Sequence, residues 1–163
     1  MPAVSDGRVF IFRTEAQGSS LTAIEAASGE SLWRTQVGWR EGRDPGSICI
    51  AEGACYFRSG GTLRAVDSRG GVPVWSFPPP EDAREVVADP VYSGGILTVL
   101  STDPDNHGRG IAAALDPTTG KMLWERELPF IPAATPACSD ELIVAAGPAG
   151  RVCAMDIDRK SVV

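Results

Sequence analysis

The residues of this sequence best suited to chemistry lie in one polar stretch, STDPDNHGRG, at positions 101–110. Asp103, Asp105 and Gly108 stand at positions one, three and six of the calcium-loop pattern, in which carboxylate oxygens bind the ion. Position five is His107, however, and position twelve is Ala114 where the pattern requires a bidentate glutamate. The stretch therefore predicts a solvated hairpin loop, in which Asp103 and Asp105 are weak candidates for holding a cation.

His107 is the single histidine of the chain. Metal sites built from several histidines of one chain are therefore excluded, and a Ser-His-Asp triad would have to use this loop. No GxSxG nucleophile motif accompanies the histidine, and the glycine pairs form neither GxGxxG nor a phosphate-binding loop. The sequence predicts no catalytic residue.

The chain has four cysteines, at positions 49, 55, 138 and 153. They form no CxxC pair and show no zinc-like spacing, so we expect free thiols that behave as small buried apolar groups. Cys49 and Cys55 flank IAEGA symmetrically, and a hairpin turning at Glu52 would place them opposite each other. A cross-strand disulfide is the alternative at that pair.

Composition and charge exclude several classes of partner. The 163 residues carry 15 basic and 21 acidic side chains, a formal net charge of −6, whereas surfaces that bind nucleic acid are basic. Nucleic acid and anionic membranes are therefore not expected as partners. No apolar run approaches the ~20 residues of a membrane-spanning helix, and the first ten residues lack an export signal. The chain as given is expected to be cytoplasmic, although a longer parent protein could be exported or membrane-anchored.

An internal repeat sets the organisation of the chain. Four segments align with alanine third and an acidic residue fifth, and the first three end on tryptophan: LTAIEAASGESLW (21–33), LRAVDSRGGVPVW (63–75), AAALDPTTGKMLW (112–124) and VCAMDIDRKSVV (152–163). The offsets between copies are 42, 49 and 40 residues, and periods of ~20–50 residues are typical of solenoids and propellers.

Each repeat unit is predicted to contain four short strands. A leading hairpin such as ICIAEGACY (48–56) supplies two, a third strand ends at the motif acid, and a fourth carries the tryptophan. One antiparallel sheet of this kind is the blade of a β-propeller. The sequence thus predicts an all-β fold of four blades, the last incomplete, at approximately 2–40, 46–78, 88–128 and 134–163.

The residues that recur at fixed motif positions are predicted to be structural. Glycine at the turn takes a positive φ at little cost, and the acids can accept N–H bonds from their own turn. A catalytic acid would occur once instead of in every repeat. The positions concerned are the glycines Gly29, Gly71 and Gly120 and the acids Glu25, Asp67, Asp116 and Asp156.

The tryptophans are predicted to hold neighbouring blades together. Each indole buries ~150–250 Å², and a small residue in the same or the adjacent blade would leave room for it. The tryptophans are Trp33, Trp75 and Trp124, and the small residues are Ala23, Ala65, Ala114 and Ala154. Trp39 falls outside the register and is predicted to lie in a loop or at an edge.

The motif resembles the pyrroloquinoline-quinone-like propeller repeat, A-x-D-x-x-T-G-x-x-x-W. The third copy matches every defined position, with Ala114, Asp116, Thr119, Gly120 and Trp124. The resemblance extends over essentially the whole chain, and it implies a ring of seven or eight blades.

The fourth copy departs from the pattern, because Arg159 and Lys160 follow Asp156 where the turn would have Thr-Gly. By register its tryptophan would be residue 164. Four blades at the curvature of such a ring close half a circle and expose two apolar blade faces. Three interpretations follow: a fragment of a longer protein, which we favour, a homodimer that completes the ring, or a small four-bladed closure.

The resemblance also bears on function. Family members that use the quinone have adjacent cysteines, calcium ligands and a tryptophan below the quinone, and this chain has no Cys-Cys pair. Other members are non-enzymatic, including a propeller lipoprotein of bacterial outer-membrane assembly and the sensor halves of bacterial kinases. We therefore predict a cofactor-free scaffold or sensor module that binds a protein or small ligand through loops 38–47, 77–88 and 101–110. The alternative is a fragment of a dehydrogenase that oxidises alcohols or sugars with pyrroloquinoline quinone and calcium.

Overall fold

The computed structural model describes residues 1–15, 18–37, 46–79 and 81–157. Within them the chain forms four separate antiparallel sheets, each with its strands in sequence order, and each sheet is termed a blade. Blade 1 contains β1 (Ala3–Ser5), β2 (Arg8–Glu15), β3 (Gly18–Glu25) and β4 (Ser31–Val37). Blade 2 contains β5 (Cys49–Ala51), β6 (Ala54–Ser59), β7 (Thr62–Asp67) and β8 (Pro73–Phe77). Blade 3 contains β9 (Val91–Ser93), β10 (Ile96–Thr102), β11 (Gly110–Leu115) and β12 (Met122–Leu128).

Blade 4 shows three strands in the described part of the chain, namely β13 (Ala137–Cys138), β14 (Leu142–Ala146) and β15 (Val152–Asp156). A short 3₁₀ turn at Pro148–Gly150 joins the last two. Arg159 and Lys160 lie outside the described residues. Within the described residues no helix has the length and apolar character needed to cross a membrane.

The first strands of the blades surround a common hub. β1 contacts β5, β5 contacts β9, and β9 contacts β13, so the innermost strand of each blade touches that of the next. The sheets radiate outward from these four strands. This is the arrangement of a β-propeller, and the predicted all-β fold of propeller blades is confirmed.

The chain enters each of the first three blades through a tight hairpin. Its two turn residues both have positive φ, as in Asp6 (48°) and Gly7 (69°) or Glu52 (48°) and Gly53 (74°). Such turns match the right-handed twist of paired strands, and Asp-Gly sequences favour them. The turn residues in the sequence therefore account for the hairpins, because they tolerate positive φ.

Three apolar clusters fill the spaces between successive blades. Blades 1 and 2 enclose Phe10, Leu21, Phe57 and Val66, blades 2 and 3 enclose Tyr56, Leu63, Leu97 and Leu115, and blades 3 and 4 enclose Leu100, Leu128, Ile143 and Met155. Alternate residues of a strand point to opposite faces of its sheet. A central blade therefore buries both faces, which explains the nearly continuous burial of β6 and β11.

The structure corrects the disulfide alternative. The hairpin turns at two residues, Glu52 and Gly53, so the register pairs Cys49 with Tyr56 and Ile50 with Cys55. Adjacent positions on a strand face opposite sides of the sheet, which separates the two sulfur atoms. All four cysteines are free.

The antiparallel order divides the connections between two ends of the propeller. One end, the turn end, carries the turns between the first and second and between the third and fourth strands of each blade. The opposite end, the long-loop end, carries the loops between the second and third strands and the connections between blades. Loops 77–88 and 101–110 therefore lie at the same end. In loop 38–47 only Gly46 and Ser47 are described, and Trp39 lies outside the described residues.

Candidate functional site

Each of the first two motif tryptophans crosses to the next blade and occupies its turn. The Trp33 indole N–H donates to the carbonyl oxygen of Ser68 at 3.2 Å. A Cβ built on Gly71 would lie 2.5 Å from the Trp33 ring, so no side chain fits there while the indole is in place. Thr35 of the same strand donates its hydroxyl to the Gly71 carbonyl. Together these contacts form a tryptophan site between blades 1 and 2.

The second tryptophan repeats this geometry between blades 2 and 3. The Trp75 indole N–H donates to the carbonyl oxygen of Pro117 at 3.0 Å, and a Cβ on Gly120 would lie 2.6 Å from its ring. The Tyr56 hydroxyl also donates to the Pro117 carbonyl, at 3.0 Å. Trp124 packs against the cluster between blades 3 and 4.

The motif alanine lies directly opposite the tryptophan of its own blade. Ala23 pairs with Trp33, Ala65 with Trp75, and Ala114 with Trp124. Each pair is followed at once by a register shift in the sheet. Such an irregularity bends the outer strand, and the small alanine leaves the space in which the indole lies. In blade 4, Ala154 is on β15 opposite Val144.

The motif acids bind their own turns. Asp67 accepts N–H bonds from Arg69 and Gly70, and Asp116 accepts one from Thr119 at 2.8 Å. The hydrogen bond from Thr119 is the main reason that the pKa of Asp116 lies below its ordinary value. The Glu25 carboxylate accepts a hydrogen bond from the Ser28 hydroxyl. Asp156 ends β15, at a point where the rest of the turn is outside the described residues.

The two long loops that the structure describes meet in one surface at the long-loop end. The segment after β8 runs along the edge of β10, where Val86 bridges Ser101. Thr102 donates its N–H to the Glu85 carbonyl at 2.9 Å, and its hydroxyl accepts the Glu85 N–H at 2.9 Å. The sequence analysis predicted that both loops take part in binding, but it did not predict that they pair. The paired residues are far apart in the chain, so no local pattern indicates their contact.

Two open clefts adjoin each other on this surface. One, of about 360 Å³, is lined by Ala83, Glu85, Thr102, Asp103, Pro104, His107, Arg109 and Ile131. The other, of about 330 Å³, is lined by Arg84, Asp103, Pro104, Asp105, Ile111, Glu125, Arg126 and Glu127. Asp103 and Pro104 belong to both clefts and form the ridge between them. Five carboxylates and three arginines line the pair of clefts.

Loop 101–110 is held by its own backbone and by one ion pair. Asp103 donates its N–H to the Arg109 carbonyl at 3.2 Å, and its carboxylate accepts the Asp105 N–H at 3.0 Å. The Arg109 guanidinium contacts the Glu127 carboxylate at 2.6 Å, with both side chains largely in solvent. Asp103 thus acts as a loop-stabilising acceptor. Asp105 and His107 are exposed.

Arg84 links the inter-blade connection to the outer strand of blade 3. Its guanidinium contacts Asp82 and Glu125, each at 2.7 Å, and lies 5.8 Å from the centre of the Phe77 ring. Partial burial lowers the pKa of Arg84, but the hydrogen bonds to Glu125 and Asp82 raise it overall. Arg84 is therefore a cation held in place by two carboxylates, and it lines the second cleft.

Three of the four cysteines have a raised thiol pKa. Burial raises the pKa of Cys55 to about 12, with smaller contributions from the charges of Asp67 and Cys49. Burial also raises the pKa of Cys49 and of Cys138. A reactive cysteine has the opposite shift, so these residues fit a structural role.

Comparison with known proteins agrees with this geometry. The family model described as outer membrane protein assembly factor BamB matches residues 1–163. The chain belongs to this family. Among solved structures, BamB from Moraxella catarrhalis superposes with a TM-score of 0.70 at 20% identity over 99% of this chain and 47% of that one. The quinohemoprotein alcohol dehydrogenase of Comamonas testosteroni gives 0.70 at 16% identity, over 99% and 33%.

A curated relative is the serine/threonine-protein kinase AfsK of Streptomyces griseus, 27% identical over 130 residues, 76% of this chain. This chain spans 15% of the length of that kinase and about half of the BamB chain. The chain is therefore a partial propeller of the BamB-like, pyrroloquinoline-quinone-like repeat class. The structural likenesses, at 20% identity and below, concern the fold.

The quinone of the resembling enzymes is accompanied by calcium, an ion that takes oxygen ligands. Among the described residues, no group of three or more His, Cys, Asp or Glu side chains is placed to hold a metal. The weak candidates Asp103 and Asp105 lie in an exposed loop, and the Asp103 carboxylate is already used by the loop backbone. Adjacent cysteines do not occur in the sequence.

Proposed function

We propose that this chain is a non-catalytic binding module whose contact surface is the long-loop end of blades 2 and 3. The observation that carries the proposal is the joining of two long loops, distant in sequence, into one surface with two adjoining clefts. The inter-blade clusters give these loops a rigid base, and loops on a rigid scaffold commonly carry recognition. Among the described residues, no hydrogen bonds join His107 to a nucleophile and an acid as a catalytic triad requires.

The charge of this surface favours a protein partner with basic side chains. Carboxylates outnumber arginines around the clefts, and two of the arginines are already paired with Glu125 and Glu127. Complementary charge speeds association and selects partners, and its effect falls as salt is added. Ile131 and Ala83 in the first cleft offer an apolar contact beside these charges.

The names of the related proteins support a binding role in different settings. One is an assembly factor, and the AfsK match covers a minor part of a kinase. In neither case does the printed name assign a reaction to the propeller. The match to an alcohol dehydrogenase keeps a quinoprotein fragment as the second candidate, but no donor set for calcium accompanies it in the described residues.

Site-specific photo-crosslinking in cells tests the proposal. A crosslinking side chain at position 107, an exposed position that lines the first cleft, should give a discrete protein adduct. The same group at position 141, exposed on the turn end, is the matched control and should give none. The double variant Asp105→Lys, Glu127→Lys should reduce the adduct about tenfold, whereas Glu30→Lys with Glu141→Lys, an equal change of charge on the turn end, should leave it unchanged. Equal adducts from both ends, or indifference to both double variants, would refute the proposal.

A further inference from the structure

Blade 2 reverses a side-chain pairing that blades 1 and 3 share between their third and fourth strands. In blades 1 and 3 a small residue on the third strand lies opposite a long charged residue on the outer strand. In blade 2 the long charged residue is on the third strand and the small one is on the outer strand. The opposed pairs are Thr22 and Arg34 in blade 1, Arg64 and Ser76 in blade 2, and Ala113 and Glu125 in blade 3. The reversal leaves open space on the outer strand of blade 2, in front of a cation.

An open cleft of about 460 Å³ occupies this space, and we term it the Arg64 cleft. Much of its lining is apolar and comes from the outer strand and the residue that follows it, namely Pro73, Val74, Trp75 and Pro78. The remaining lining residues are Thr62, Arg64 and Ser76. Ligand sites commonly combine an apolar lining with a few polar groups in this way.

The polar groups of the Arg64 cleft face the same side of blade 2. Residues directly opposite each other on paired strands share a face of the sheet, and so do residues two apart on one strand. Ser76 lies opposite Arg64, and Thr62 is two residues before Arg64 on β7. Phe57, on the other side of Arg64, is buried between blades 1 and 2. A guanidinium and two hydroxyls, all hydrogen-bond donors, therefore face the blade 1 side together.

Arg64 is a cation without a counter-charge among the described residues. Its Nε is shielded from solvent and has no hydrogen-bond partner there, whereas Arg84 and Arg109 contact the carboxylates of Glu125 and Glu127. No described carboxylate lines the Arg64 cleft, although the chain has a formal net charge of −6. Buried polar groups ordinarily have a hydrogen-bond partner. A negatively charged oxygen acceptor is therefore the complement of this cleft.

The Arg64 cleft continues toward the contact surface described above. Thr62 and Pro78 also line a third cleft, of about 250 Å³. The third cleft shares Ala83 and Glu85 with the first cleft and Arg84 with the second. An elongated ligand that begins in the Arg64 cleft can thus extend along the long-loop end from blade 2 to blade 3.

We propose that the Arg64 cleft binds the C-terminal carboxylate of a peptide whose last residue is apolar, with the preceding residues directed into the third cleft. A C-terminal residue carries its carboxylate and its side chain on one Cα, which suits a small cleft where donors adjoin an apolar wall. Arg64 and the two hydroxyls donate to the carboxylate, and Pro73 and Val74 contact the apolar side chain. The inference rests on the proposed binding function, because the peptide belongs to the partner that covers the adjoining surface.

Titration of the full chain with a defined peptide, followed by nuclear magnetic resonance, tests the proposal. The probe is acetyl-Gly-Ser-Val-Phe with a free carboxylate, and the same peptide with a C-terminal amide is its matched control. The acid should bind saturably and shift the signals of the Arg64 Nε–H and the Ser76 backbone N–H. The amide should bind about tenfold more weakly, because it lacks the charge that strengthens hydrogen bonds to a guanidinium.

Variants show whether Arg64 causes the preference for the acid. Arg64→Gln should abolish the preference, whereas Arg69→Gln, which removes an exposed arginine at the turn end, should retain it. Arg64→Thr with Ser76→Arg gives blade 2 the pair found in blade 1 at the same net charge. This double variant should also abolish the preference, because the longer outer side chain fills the cleft. The ratio of the two affinities is measured on folded protein, so a general loss of stability does not produce these results.

Several results would overturn the proposal. One is equal binding of the acid and the amide, and another is a preference for the acid that survives Arg64→Gln. A third is binding of 3-phenylpropionate as tight as that of the tetrapeptide, since the ligand would then be a small organic acid. The titration requires no cellular partner, so its failure would leave the crosslinking result at position 107 standing, and a missing adduct there would leave the measured peptide affinities unchanged.

Discussion

Replacement of Trp75 by alanine tests the physical basis of the fold most directly. The indole spans blades 2 and 3, where it packs over Gly120, lies 5.6 Å from the Tyr56 ring centre and donates to the Pro117 carbonyl. Removal of a large aromatic side chain from a core costs ~3–5 kcal/mol.

Two structural details place the expected cost at the lower end of that range. Trp75 is half-buried instead of fully buried, so less apolar area is lost. The Pro117 carbonyl keeps the hydroxyl of Tyr56 as a donor, so the variant leaves no buried acceptor unpaired. We expect a loss of about 3 kcal/mol in the free energy of unfolding, which lowers the melting temperature of a chain of this size by about 6–12 °C.

The assay is denaturant and thermal unfolding followed by far-ultraviolet circular dichroism, because the substitution removes a fluorophore. Val74→Ala is the matched control: its side chain is next to Trp75 in sequence but 54% exposed, and it should cost less than about 0.5 kcal/mol. Trp75→Phe should lie between the two, since it keeps a ring and loses the hydrogen bond. A Trp75→Ala protein that folds and unfolds within about 0.5 kcal/mol of the parent would refute the role of the tryptophans in joining blades.

Three further predictions follow from the same structure. Gly120→Ala should destabilise the chain more than Gly95→Ala in an unfolding titration, because both glycines have positive φ but only Gly120 contacts an indole; equal losses would contradict the packing. Stability should fall as the pH rises from about 9 to about 12, because burial raises the pKa of Cys55 to about 12 from 9.0 and that of Tyr56 to about 12 from 10.0, so the unfolded chain loses these protons first; Tyr56→Phe should remove the part of the fall that lies above about pH 10. When the protein is added to pyrroloquinoline quinone and calcium, the absorption spectrum of the quinone should stay unchanged. A saturable spectral change would favour the dehydrogenase fragment.

Much of the fold follows from the local sequence. Asp-Gly and Gly-Gly pairs between apolar runs predict the hairpins because only a few residue types tolerate positive φ at both turn positions. The repeated alanine, acid, glycine and tryptophan predict the blades because each repeat unit must bury its faces against a neighbour. That His107 is not catalytic stays a prediction of the sequence, which has no GxSxG motif to accompany it.

The tertiary structure alone decided what the repeats contact. The two-residue turn at Glu52 and Gly53 shifted the register by one position and separated Cys49 from Cys55, since a single-residue slip reverses the face of every side chain. Only the folded chain brings Val86 to Ser101 and so joins two loops into one surface. Gly29, Gly71 and Gly120 look alike in sequence, yet no described atom lies within 4 Å of a Cβ built on Gly29, whereas Gly71 and Gly120 each contact an indole, because the preceding blade supplies that contact. The sequence determined the repeating unit and its turns through local backbone preferences, whereas the contacts between units depended on how the sheets pack in space.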